Sequence, residues 1–260
     1  MKFYTWCNDK SDSRLNRLNE SAELNNIKIE PIGEGCDIDE GGRFNGKNLW
    51  LYDKLLQLED DEIVMCVDAF DVIFLTNENE IEQKFLKMET PILYGAERQS
   101  AGCFRRDVKK LRKLASGSKY KFFNSGIVIG YVKNLKKKFE TMKTFEIENT
   151  RRNRFVSYNQ GLSARYYVQN TTEVKLDYAH DIIRTDIFYD NVSWPPTAEL
   201  FNTHSLDTIS KLKNEYFPKN LINGRLRNEL TNTFPCVLHV PSNRYMSIVT
   251  DFIFNQIYKL

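Results

Sequence analysis

This 260-residue chain has no Cys-x-x-Cys pair, no long apolar run and almost no net charge. Each absence removes a class of protein. The five cysteines (7, 36, 66, 103 and 236) are scattered, which excludes a disulfide scaffold and a thiolate zinc site and fits reduced thiols. A formal net charge of +2 speaks against a general nucleic-acid binder. No stretch approaches the ~20 apolar residues of a membrane span. Met1-Lys2-Phe3-Tyr4-Thr5-Trp6 enters strand-like sequence at once, with no signal peptide ahead of it. The expected setting is therefore the cytoplasm or the interior of a host cell. Gly46-Lys47 is followed by Asn48, so the Gly-Lys-Ser/Thr ending of a P-loop is missing. There is no repeat, low-complexity linker or domain boundary, and the length suits a single domain over residues 1–260.

What is present is an apolar run with two acids in it. Ile63 to Leu75 reads as a central strand and its continuation, yet it carries Asp68 and Asp71. A carboxylate buried alone is costly or is forced to protonate. Two readings stay open. The pair shares a divalent cation, Mg²⁺ or Mn²⁺, whose hard character suits oxygen ligands. Alternatively, each aspartate caps a turn or helix beyond the strand.

Around this run the pattern is β-α-β. Lys2–Cys7 reads as a strand, Leu15, Leu18 and Ala22 recur at helical spacing, and 27–32 alternates as a second strand. Such units point to parallel strands with helices on the sheet faces. A glycine-rich loop (33–46) leads to a helix over about 47–57, with Lys47 and Trp50 on one side of its first turn. That side is either solvated or faces a ligand. Further on come a helix at 78–88, a strand at 91–96 ending on Glu97, and a basic stretch whose lysines mark a solvated helix face. Residues 122–130 read as a turn feeding a buried strand. Ser157 and Gln160 form a capping box. Short strands end at Asp177 and near His239, and an amphipathic helix closes the chain. Residues 186–219 carry no clear pattern.

In open α/β sheets ligands bind beyond the carboxyl ends of the strands. Asp68, Glu97, Asn124, Asp177 and His239 are expected to converge there. Two aspartates and a histidine suit Mn²⁺ better than Mg²⁺. His180 and His204 read as ordinary core or surface residues.

Three segments carry a family resemblance: Val67-Asp68-Ala69-Phe70-Asp71-Val72-Ile73-Phe74, Tyr94-Gly95-Ala96-Glu97 and Phe123-Asn124-Ser125-Gly126-Ile127-Val128-Ile129-Gly130. Lys47-Asn48-Leu49-Trp50, Asn159-Gln160, Leu176-Asp177 and Val237-Leu238-His239 follow the same order. The chain resembles the glycosyltransferase domain of the procollagen lysyl hydroxylases. The resemblance implies a GT-A fold, which is Rossmann-like, with a mixed, mostly parallel sheet flanked by helices. It also implies Mn²⁺ held by Asp68, Asp71 and His239 against the diphosphate of a UDP-sugar. Thr5, Lys47 and Trp50 then line the uridine and phosphate pocket, and Glu97 and Asn124 handle sugar or acceptor. Arg244 is a further candidate for the diphosphate, because a guanidinium pairs well with phosphate oxygens.

The chain also departs from the family. Arg151-Arg152-Asn153-Arg154-Phe155-Val156-Ser157-Tyr158 stands where the family has acids, Phe104 where it has Trp, and Val240-Pro241-Ser242-Asn243 where it has Gly-Asn-Gly. The loss of acids leaves Glu97 and Asp177 as candidate catalytic carboxylates. Only the sugar-transfer module is recognised. The expected reaction is glucosyl transfer from UDP-glucose to galactosyl-hydroxylysine in a collagen-like chain. The alternatives are galactosyl transfer from UDP-galactose to hydroxylysine, a non-catalytic GT-A-type binding domain and, ranked lower, a nucleotidyltransferase. A homodimer is left open.

Overall fold

The computed structural model describes residues 1–35, 45–100, 103–150, 159–185, 207, 209–241 and 247–258. Arg244, Ser157, His204, the run 151–158 and most of 186–219 lie outside the described residues.

The first three strands are β1 (Lys2–Trp6), β2 (Ile29–Ile32) and β3 (Ile63–Asp68), and they pair in parallel with β1 in the middle. β6 (Phe122–Tyr131) runs antiparallel between β3 and β5 (Ile92–Glu97). The far edge of β5 pairs in parallel first with β7 (Val174–Asp177) along Ile92–Gly95 and then with β8 (Ile183–Thr185) at Ala96, and β8 in turn pairs with β11 (Val237–His239). β4 (Val72–Phe74) closes the sheet antiparallel to β11. The sheet is thus mixed and mostly parallel, as expected. β9 (Leu221–Ile222) and β10 (Arg225–Leu226) form a separate small hairpin. No helix among the described residues is long and apolar enough to cross a membrane.

Side chains alternate across the sheet with period two. Tyr4, Val64, Cys66 and Tyr94 face a layer packed by α2 (Asn45–Leu55), α4 (Arg105–Leu114), α5 (Val132–Thr150) and α6 (Asn159–Gln169). Phe3, Met65, Val67 and Leu93 face the opposite layer, where α1 (Asn16–Leu24) contributes Leu18 and α3 (Glu78–Lys87) contributes Phe85. Ile73 and Leu238 face a third cluster, closed by α7 (Ser247–Tyr258) through Val249 and Ile253. Because β1, β3, β5, β8 and β11 share a direction, their carboxyl ends form one edge.

One expectation needs correction. Residues 122–130 are not a turn plus a strand but one strand interrupted by a bulge. Tyr94 pairs with Val128 and Gly95 with Asn124, so Ser125, Gly126 and Ile127 intervene without partners on β5. The Gln160 amide reaches into the site described below, and Ser157, the other half of the expected capping box, lies outside the described residues.

One core residue breaks the apolar rule. The Lys138 amine is buried on the Tyr94 hydroxyl, 4.4 Å from the Phe139 ring centroid. Burial lowers its pKa from 10.5 to about 7. Between those values the unfolded chain holds a proton that the folded chain does not, so this residue makes stability rise with pH. Lys138→Met should stabilise the fold at pH 6, by an amount on the order of a few kcal/mol. It should also flatten the rise of the urea midpoint between pH 7 and 9.

Candidate functional site

The site is built where β3 ends. Asp68 is the last residue of β3, Ala69 and Phe70 turn the chain, and Asp71 precedes β4. β4 leaves the line of β3 and pairs with β11, placing Val72 opposite His239. The Val240 amide donates to the Asp71 carbonyl at 2.8 Å, which locks the turn onto the end of β11. His239 Nε2 then lies 3.4 Å from Asp71 Oδ1 and 3.7 Å from Asp68 Oδ2. One ligand atom from each of the three residues falls within 4.8 Å of the other two.

The ring of His239 is oriented from behind. Asn124 Oδ1 accepts from the Gly126 amide at 2.9 Å and lies 3.0 Å from His239 Nδ1. An oxygen already held by an amide donor is an acceptor, so Nδ1 carries the ring hydrogen. In the neutral imidazole, Nε2 therefore turns its lone pair toward two carboxylates. That atom is buried and has no hydrogen-bond partner among the described residues. Burial disfavours the imidazolium, but Asp71 and Asp68 outweigh it and raise the His239 pKa. The cluster therefore calls for positive charge. Two carboxylates and an imidazole are a donor set suited to Mn²⁺, and the residues present fit such an ion. Gly126 makes room for the ring: a Cβ there would stand 2.1 Å from His239 Cε1.

Lys47 forms a short ion pair with Asp68 Oδ1. Burial works against its charge, and Asp68, then Asp71, more than compensate, so its pKa is raised. Trp6 donates from Nε1 to the Lys47 carbonyl at 2.9 Å and sets its ring centroid 5.3 Å from the ammonium. Trp50 is half-buried against Gly33, whose φ is +93°, and a Cβ at that glycine would lie 2.0 Å from the indole. Only glycine suits both the conformation and the contact. Thr5 is fully buried and donates to the Val67 carbonyl at 3.0 Å. Its hydroxyl fastens β1 to β3 behind Asp68.

A polar chain extends from His239 toward α6. Asn124 donates from Nδ2 to Glu97 Oε2 at 3.3 Å, and Gln160 donates to Glu97 Oε1 at 2.8 Å. Gln160 also accepts from the Ser125 amide at 3.1 Å. Burial pushes the Glu97 carboxyl up to about 8, against the opposing pull of Asn124, His239 and Gln160. Asp177 has a different occupation. Its carboxylate accepts from the amides of Asp181 (3.1 Å), Ile182 (2.7 Å) and Ile183 (2.8 Å), holding the crossover from β7 to β8. His180 is fully buried within that crossover, 2.8 Å from the Ala96 carbonyl. Sequence reasoning missed Trp6 and the role of Gln160. An indole beside Thr5 at a strand end was the available sign of the first; the capping pattern concealed the second.

Gly126→Ala should push the His239 ring from its seat. Mn²⁺ affinity measured by calorimetry is expected to fall about 10–100-fold, with the far-ultraviolet circular dichroism retained. Glu97 holds a proton in the fold that the unfolded chain releases above its ordinary pKa of 4.5. Its contribution is complete below that value and is lost as pH rises through about 8. Glu97→Gln should therefore remove part of the decline in urea midpoint between pH 5 and 8.

The geometry can be set beside known proteins. The family described as the PLOD GT domain matches residues 2–185. Procollagen-lysine,2-oxoglutarate 5-dioxygenase 1 of Mus musculus is 29% identical over 135 residues, covering 49% of this chain and 18% of that protein. Its Homo sapiens counterpart is 28% identical over 134 residues, with the same coverage. The alignments thus take in less than a fifth of those relatives' own length. A solved glycosyltransferase involved in the glycosylation of the major capsid of PBCV-1 superposes with a TM-score of 0.52. That superposition covers 97% of this chain and 98% of the other at 10% identity, a likeness of fold alone. With the GT-A-type sheet and a family match over most of its length, this chain belongs to the PLOD glycosyltransferase-domain family.

Proposed function

We propose that this domain transfers glucose from UDP-glucose to galactosyl-hydroxylysine in a collagen-like polypeptide, with Mn²⁺ held by Asp68, Asp71 and His239. The observation that carries the reading is the buried Nε2 of His239, turned toward two carboxylates with no hydrogen-bond partner among the described residues. A divalent cation bound there neutralises the charge that grows on UDP as it leaves.

The chain's own residues supply the rest. Lys47 offers a second positive charge at the same edge, and its bond to Asp68 keeps the ammonium placed before substrate arrives. Trp50 gives the nucleotide an apolar wall, and Arg244 supplies a guanidinium for the diphosphate. Glu97 is mostly neutral at pH 7, given a carboxyl pushed up to about 8, and both its oxygens are engaged by amides. It orients Asn124 and Gln160 on the sugar side and does not serve as the base. With Asp177 spent on backbone amides, no free carboxylate of this set stands ready to deprotonate the acceptor. That favours a retaining reaction, in which a departing phosphate oxygen takes the acceptor proton. The metal and diphosphate contacts do not read the sugar, so UDP-galactose with bare hydroxylysine is the second reading.

The test is to incubate the protein with Mn²⁺, each donor in turn, and peptides bearing galactosyl-hydroxylysine or hydroxylysine. Hexose should be transferred from UDP-glucose to the galactosylated peptide. Transfer from neither donor to either peptide would leave a non-catalytic binding domain. Asp71→Ala should abolish transfer and weaken UDP binding in Mn²⁺; near-normal turnover would refute the metal assignment. Trp50→Ala should raise the donor KM with little change in kcat, as expected for uniform binding. A loss confined to kcat would contradict that role.

A further inference from the structure

Helix α4 is built against its own charge. Arg105, Arg106, Lys109, Lys110, Arg112 and Lys113 are all exposed, and at 100° per residue they fill an arc of roughly 160°. Like charges meet at i, i+4 in Arg105/Lys109, Arg106/Lys110 and Lys109/Lys113, each pair disfavouring the helix. Two arginines stand in the first turn, where the helix dipole is also positive, and the N-cap Phe104 makes no side-chain cap. The helix's only acid, Asp107, is buried and taken by Arg165 of α6 at 2.6 and 3.0 Å. Elsewhere the picture is mixed: Lys2, Lys54, Lys136, Lys137 and Arg225 each reach a carboxylate, whereas single exposed lysines such as Lys28 and Lys87 reach none among the described residues. Among the described residues, none of the six on α4 does.

This charge is local. The six cations exceed the chain's formal net charge of +2 and leave the remainder with a net of −4. Two of the guanidinium groups lie over aromatic rings, Arg106 over Phe104 at 5.7 Å and Arg112 over Phe122 at 5.6 Å. The N-terminal end of α4 lies near the site. The helix starts eight residues after Glu97, and Cys103 just ahead of it bonds the carbonyl of Phe123, the neighbour of Asn124. The helix is about 15 Å long, and its N-terminal end is the one tied to Phe123 through Cys103.

We propose that the cationic face of α4 docks a short acidic segment of the polypeptide acceptor and leads the modified side chain to the Glu97–Asn124 end of the cleft. The proposal rests on the transferase reading for the identity of its partner. Local rules of helix design are broken where function requires it, and an anionic partner removes the repulsion that the helix otherwise carries. The negative remainder of the molecule repels a long polyanion or an anionic membrane but leaves room for a few carboxylates beside one helix.

The test is direct binding to the full chain, read by fluorescence anisotropy. The probes are a labelled twelve-residue collagen-like peptide with glutamates flanking the lysine position and its glutamine counterpart. At 50 mM salt the acidic peptide should bind at least ten-fold tighter, with the advantage shrinking at 500 mM. The variant K109E/K110E/K113E should erase that advantage while UDP binding in Mn²⁺ and the Tm stay at wild-type values, since reversal turns the 105/109 and 106/110 pairs attractive and leaves the 109/113 pair like-charged as before. Equal binding of the two peptides, or a preference that survives the triple substitution, overturns the proposal. So does a variant that loses binding only to a single-stranded oligonucleotide or to phosphatidylserine vesicles. Intact acidic-peptide preference with no hexose transfer would refute the transferase reading alone. Intact transfer without the preference would refute the docking face alone.

Discussion

Three electron-rich groups on one buried edge cannot be stable neighbours without positive charge between them. Asp68, Asp71 and the Nε2 lone pair of His239 are in that position, with His239 almost fully buried. Several local choices make sense as ways of meeting this constraint. The turn at Ala69–Phe70 brings the second aspartate back beside the first. The antiparallel pairing of β4 with β11 carries the histidine to them. Gly126 leaves space for the ring, and Asn124 chooses which nitrogen faces forward. Lys47 supplies part of the missing charge from α2. Each of these is weak alone, and together they hold a geometry that costs free energy until a cation fills it.

The polar chain from His239 through Asn124 and Glu97 to Gln160 links that edge to α6. Burial pushes the Glu97 carboxyl up to about 8 against the pull of Asn124, His239 and Gln160, which limits the negative charge the link adds. Charge is thus graded across the cleft. It is negative at the Asp68–Asp71 edge, less so around Glu97, and positive along the exposed arginines and lysines of α4. Such a gradient sorts ligands by the sign of their charge before shape is consulted.

Much of this was legible in the chain. The β-α-β opening, the strand ending at Asp68 and the strand ends at Glu97 and His239 follow from apolar periodicity and from where polar residues interrupt it. Asp177 misled, because a carboxylate at a strand end has the same sequence appearance whether it faces a cleft or folds back on three amides. The capping pattern at Gln160 says nothing of its bonds to Glu97 and Ser125, because a glutamine looks the same in sequence in either setting. The bulge at Ser125–Ile127 resembles a turn in sequence because glycine after Asn-Ser satisfies both.

The sequence by itself determined the α/β class, the family and the residue types of a candidate metal site, because these rest on local pattern and on which side chains can bear charge. Only the tertiary structure decided which of those side chains meet. His239 and Asp71 are 168 positions apart, and it is the β4–β11 register that places one against the other. The tautomer of His239, the neutral state of Glu97 and the diversion of Asp177 depend on hydrogen bonds and burial that arise only when distant strands pack. Local sequence carries a residue's chemistry; its protonation and its partners are set by what the fold puts next to it.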